Sequence, residues 1–111
     1  DVYKRQKSDL GGMGFAALLL NRYRSGSVGR LVTVDKDGEV LGSLDVREEV
    51  LDISASGRYL AVLYSDRLAV YNQDLQPYAT LQGTGDARGV LMRSDGSALL
   101  LSAGSASLFL P

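Results

Sequence analysis

The chain of 111 residues reads as all-β, assembled from antiparallel four-stranded units, and three observations carry that reading. Short runs rich in Val, Leu, Ile, Tyr and Ala alternate with Gly, Asp, Asn and Ser, and none holds a helical period over about ten residues. The chain also repeats itself: Arg67-Leu68-Ala69-Val70-Tyr71-Asn72-Gln73-Asp74 echoes Arg30-Leu31-Val32-Thr33-Val34-Asp35-Lys36-Asp37, 37 residues earlier. Thirdly, the turn Ser54-Ala55-Ser56-Gly57 returns 39 residues later as Arg93-Ser94-Asp95-Gly96, each time leading into an apolar run. A repeat of this length, made of short strands, cannot bury both of its faces alone, so neighbouring units must stack on one another.

From the N-terminus, residues 1–6 are the in-frame translation of GAT GTG TAT AAG AGA CAG, the end of a transposase-based sequencing adapter. We read them as a sequencing scar and leave them out of the fold expectation. With the strands of a unit labelled a to d, residues 7–45 are expected to form a partial unit with b, c and d at 15–21, 30–34 and 39–45. Residues 46–82 form a complete unit, with strands at 50–54, 59–64, 67–72 and 77–82. Residues 83–111 supply a, b and c at 89–93, 98–102 and 107–110. The turns fix this order. Asp35-Lys36-Asp37-Gly38 and Asn72-Gln73-Asp74-Leu75 occupy the same place in the repeat, where Asp, Asn and Gly accommodate tight reversals. The runs 59–64 and 98–101 are almost continuously apolar, as strands covered on both faces should be.

Units of this kind are the sequence signature of β-propeller blades. The expected fold is therefore a partial β-propeller of about two and a half four-stranded antiparallel blades, without substantial helix. The turns Ser54-Ala55-Ser56-Gly57 and Arg93-Ser94-Asp95-Gly96 resemble the Ser-Pro-Asp-Gly turn of WD40-like propellers, and Val70-Tyr71-Asn72 and Thr33-Val34-Asp35 stand where such repeats carry Trp-Asp. The stretch 50–81, with Gly57-Arg58-Tyr59-Leu60-Ala61-Val62-Leu63, and Val90-Leu91-Met92-Arg93 are most similar to the C-terminal blades of an uncharacterised bacterial propeller family, a domain of unknown function anchored in the membrane by a helix before the ring. That resemblance implies an extracytoplasmic domain tethered by an N-terminal helix and brings no catalytic residues. Because the last blade stops after strand c and propeller rings are commonly latched by a strand from the opposite end of the chain, Pro111 is expected at or near the C-terminus, with the missing outer strand supplied from the N-terminal region.

Composition narrows the function. The net charge is −1 with both signs interspersed, which leaves no electrostatic footprint for nucleic acid or anionic lipid. The longest apolar run, 15–20, is far too short to span a bilayer, so no membrane contact is expected from this segment. Cys and His are both absent, which removes disulfides, thiolate metal sites and the commonest general base. Asp35, Asp37 and Glu39 break the spacing of a calcium loop, because Gly38 falls at the fourth position rather than the sixth, and a hairpin accounts for all of them. Glu48 and Glu49 are adjacent, so an extended connection points them apart rather than at one substrate, with Arg47 as a weak partner. The serines fall at turns without a base, and the Gly-rich segments 11–14 and 83–85 open no helix that could cradle a phosphate. No cofactor or metal is expected.

One departure from the repeat remains. The first unit carries eight residues, 22–29, between strands b and c, where the second has only Ser65-Asp66. In a propeller these loops share a rim with the connections between blades. Arg22, Tyr23 and Arg24 would then stand near Arg47, Glu48, Glu49 and Asp86. Arg and Tyr are interface-anchoring types, and insertions on one face of a repeat array often form its binding face. A mobile loop without a partner is the other reading. The expected function is a non-catalytic binding or sensing module of a larger propeller, whose partners are the remaining blades and a protein or ligand on the rim. The alternatives are a part of a propeller enzyme with its catalytic groups on other blades, or a structural cell-surface spacer.

Overall fold

The computed structural model describes residues 3–10, 15–22 and 29–111, and within them there are eleven strands and no helix. Three antiparallel sheets result. The first joins β1 (Tyr3–Leu10), β2 (Ala16–Arg22), β3 (Gly29–Val34) and β4 (Val40–Val46) in that order. The second joins β5 (Val50–Ser56), β6 (Tyr59–Tyr64), β7 (Arg67–Asn72) and β8 (Pro77–Gln82). The third has three strands, β9 (Gly89–Met92), β10 (Ala98–Ser102) and β11 (Ser105–Phe109). Each sheet is a meander, and the connections at 47–49 and 83–88 lead from one sheet to the next.

The expected all-β class and the three antiparallel sheets are present. The first sheet nevertheless holds four strands rather than three, because Tyr3–Leu10 pairs with β2 from Tyr3 opposite Arg22 to Leu10 opposite Ala16. Backbone pairing needs no apolar pattern, and Lys4-Arg5-Gln6-Lys7-Ser8-Asp9 shows none, so this strand has no signature in the sequence.

Turn chemistry explains the hairpins. In the β3–β4 turn the Asp35 carbonyl accepts from Gly38 N at 3.0 Å, while Asp35 Oδ1 accepts from the amides of Asp37 and Glu39. The β7–β8 turn reproduces every bond: Asn72 accepts from Leu75 N through its carbonyl, and from the amides of Asp74 and Gln76 through its side-chain oxygen. Gly38 sits at φ 84° and its counterpart Leu75 at φ 63°. The left-handed backbone costs a non-glycine residue roughly 1–2 kcal/mol, and burial of the Leu75 side chain in the first core offsets it.

The second sheet is the centre of the molecule. Along β6, Leu60, Val62 and Tyr64 face the first sheet and meet Ala17, Leu19 and Leu31. The alternate residues Ala61 and Leu63, with Leu68 and Val70 of β7, face the third sheet and meet Val90, Met92, Ala98 and Leu100. Both faces of β6 are thus covered, which is why its sequence is continuously apolar. Polar bonds tie the sheets together at the same seams. Thr33 Oγ1 donates to the Gln73 carbonyl at 2.6 Å. The Val90 and Met92 amides, on the edge of β9 away from β10, donate to Asp52 Oδ2 at 3.0 Å and Ser54 Oγ at 2.8 Å. Side chains of β5 therefore satisfy edge donors that no neighbouring strand reaches.

Candidate functional site

One end of the molecule collects the connections that the sequence places on a common rim. The Asp66 carbonyl, in the β6–β7 turn, accepts from the amides of Gly83 and Thr84 in the β8–β9 connection, at 3.0 and 3.2 Å. From the other side, Glu48 in the β4–β5 connection reaches Arg67, the first residue after that turn. Arg88 N donates to the Leu101 carbonyl at 2.7 Å, which brings the end of β10 to the same place. Gly29 pairs with both Asn21 and Val46, so the flanks of the β2–β3 connection also arrive at this end. Arg22 closes β2, whereas Tyr23 and Arg24 lie outside the described residues.

The strongest electrostatic contact here joins two sheet connections. Arg67 Nη1 lies 2.6 Å from Glu48 Oε2 and Nη2 lies 2.9 Å from Glu48 Oε1, a bidentate fork, while Asp66 Oδ1 takes a third bond at 3.1 Å. The guanidinium carbon also stands 4.2 Å from the centre of the Tyr64 ring, a cation–π contact that holds it alongside the carboxylate fork. Its hydrogen bonds hold the Glu48 carboxyl below the usual range, and Glu48 in turn raises the guanidinium further. Burial, and then the neighbouring Tyr71 hydroxyl, push the Tyr64 phenol upward, so it stays neutral. The expected Arg47 partnership of Glu48 is corrected: the fork of Arg67, already stacked on Tyr64, offers the better geometry. Arg47 and Glu49 are exposed and make no hydrogen bond or ion pair among the described residues.

Beside this strut lies a groove of about 360 Å³ between the second and third sheets, lined by Leu81, Gln82, Thr84, Asp86, Leu100 and Ser107, with Gly83, Ala87 and Ser102 completing the wall. The Thr84 side chain is only 7% exposed, and its Oγ1 has no hydrogen-bond partner in the chain. Asp86 is exposed, and its carboxylate is likewise unpaired among the described residues. Arg88 is not part of the groove wall, and its Nη1 donates to the carbonyls of Gly85 and Ala87. Of the sequence-designated residues only Asp86 lines the groove. Ser102 and Ser107 read from the sequence as turn and strand-end residues, and Thr84 as part of the Gly-rich segment 83–85; they meet only when two sheets come together.

Of the acidic candidates in the β3–β4 turn, Asp35 is committed to structure, while Asp37 and Glu39 are exposed. Asp35 spends its carboxylate on two turn amides, and among the described residues no group of three carboxylates, His or Cys could hold a metal ion. Asp95 likewise accepts from the hydroxyl and amide of Ser97, bonds that hold its carboxyl below the usual range. No protein-family model matches the chain, and comparison with curated proteins gives no match.

Proposed function

We propose that the three sheets are consecutive blades of a larger β-propeller of WD40-like type, serving as a non-catalytic binding or sensing module through the rim built from 22–24, 47–49 and Asp86. The observation that carries the ring is an apolar face with nothing on it. The faces of β6 and β10, and of β7 and β11, correspond at a spacing of 38 residues, which sets Leu99, Leu101, Ala106 and Leu108 where the second sheet has Ala61, Leu63, Leu68 and Val70. Those four residues of the second sheet are fully buried, while Leu101 and Leu108 are 40% and 47% exposed and Leu91 beside them is 52% exposed. A face patterned for a neighbouring sheet is a large apolar patch when no sheet covers it. The first sheet turns a similar row outward, with Ala16, Leu18, Leu20, Val32 and Val34 half-buried.

The remaining blades are therefore this segment's first partner, and at about 40 residues each a ring of four to eight needs roughly 160–320 residues. Binding rather than catalysis is supported by the described part of the rim, where Glu48 is paired in the strut, Arg47, Glu49 and Asp86 are exposed, and no nucleophile is set against a base among the described residues. The family resemblance adds a tether and an extracytoplasmic location. Class averages of the intact gene product should show a disc with a central channel, and a rod of stacked sheets overturns the ring. For the rim, Tyr23→Ala and Arg24→Ala should weaken each identified partner by tenfold or more; unchanged affinities would leave the insertion a simple loop.

A further inference from the structure

We infer that the groove between the β8–β9 connection and the β10–β11 hairpin is a ligand subsite for a small neutral polyhydroxylated molecule, of the size of one sugar ring. The inference rests on the binding role of the rim and names the chemistry of one part of it.

Three features converge. At about 360 Å³ the groove falls at the lower end of the range of small-molecule sites, roughly 300–1,000 Å³. Thr84 Oγ1 lines it, is buried, and is without a partner, and a buried hydroxyl left unbonded costs about 1–3 kcal/mol. Such a group is normally satisfied by something that enters the cavity it lines. The remaining polar groups set the ligand's character. Asp86 offers a carboxylate that accepts only, Ser107 a hydroxyl that donates or accepts, and Gln82 an amide that does both. The apolar part of the wall is Leu81, Ala87 and Leu100, a surface for C–H groups. A molecule with hydroxyls along one edge and C–H groups across one face matches that division.

The electrostatics select against anions. No Lys or Arg lines the groove, Nη1 of the nearby Arg88 is taken by two backbone carbonyls, and Asp86 repels phosphate and carboxylate. The Ser102 hydroxyl is 2.6 Å from that of Ser105, which leaves Gln82, Thr84, Asp86 and Ser107 as the free recognition set.

Saturation-transfer NMR on the full 111-residue chain tests the inference, because it reads the ligand and tolerates self-association of the protein. The probes are glucose and myo-inositol, with glucose 6-phosphate as the anionic counterpart and ethanolamine as the amine. Transfer to the two neutral probes is expected, with little to the phosphate. Thr84→Val, which keeps the shape and removes the hydroxyl, should weaken half-saturation about fivefold to tenfold. Ser107→Ala, on an exposed strand, should do so by less, and Asp74→Asn at the opposite end should change nothing. Transfer to ethanolamine alone, transfer unaltered by both Thr84→Val and Ser107→Ala, or no transfer to either neutral probe overturns the inference. The rim reading fails separately, through the partner affinities of the Tyr23 and Arg24 variants.

Discussion

The second and third sheets carry the same sequence repeat and are both antiparallel meanders, of four and three strands, yet their faces have opposite fates. Leu63 and Leu68 of the second sheet are fully buried, whereas Leu101 and Leu108, at or near the equivalent places, stand in solvent. The difference does not lie in the sequence of the exposed face, which is as apolar as the buried one. It lies in what stacks on that face. On the proposed ring, a repeat strand carries the pattern for two neighbours whether or not both are there, and the exposed apolar face of the third sheet is the place of a further one.

Truncation of equivalent leucines should break or uphold this comparison most sharply. Leu63→Ala removes a fully buried side chain between two sheets and should cost about 2–5 kcal/mol. Leu101→Ala should cost under about 1 kcal/mol in the isolated chain. Urea melts of the two variants measure the contrast, and equal losses would show that the third sheet is covered in solution.

The next effect concerns how sheets are held at their seams. Gly42 of β4 lies against the Asp74 backbone of the β7–β8 turn, and a methyl group there would collide with the carbonyl. Gly42→Ala should therefore destabilise by about 1–3 kcal/mol, seen as a lower urea midpoint with an unchanged slope. Ser54→Ala tests the other seam. It strands the buried Met92 amide, for a loss of about 1–3 kcal/mol and faster amide exchange at Met92 than at Val90, which keeps Asp52.

How far the sequence could have led is visible at particular residues. The strands at 59–64, 67–72, 77–82 and 98–102 are legible to the residue because turn chemistry brackets an apolar run. The turn repeat of 39 residues does not carry over to the ladders: Leu60 and Ala98 correspond at 38, whereas their cross-strand partners Ala55 and Met92 correspond at 37. β5 and β6 join through Gly57-Arg58 alone, while the loop from Met92 to Ala98 is longer, and the spacing keeps the correct side chains inward. β1 is illegible because pairing is a backbone property. Glu48 on Arg67 and the Thr84 groove are illegible for another reason: each joins residues from different sheets, and local pattern does not encode which loops meet at a rim.

The smallest effect is the strut that Glu48 makes. Its folded-state pKa lies below the ordinary 4.5, so its contribution is present above that value and is lost as pH falls through the depressed folded pKa. The melting temperature of Glu48→Gln should fall slightly below that of the parent chain at pH 7, and the two should converge as the solution is acidified below pH 4.5. A gap that persists in acid would mean that the fork does not act through the carboxylate charge.

Sedimentation velocity over a concentration series tests most directly whether the outer face of the third sheet is built for a neighbour. The parent chain should self-associate as concentration rises, and the double variant Leu101→Lys with Leu108→Lys should sediment as a monomer with unchanged strand content by circular dichroism. A parent chain that stays a monodisperse monomer throughout, with a single cooperative melt, would contradict the account.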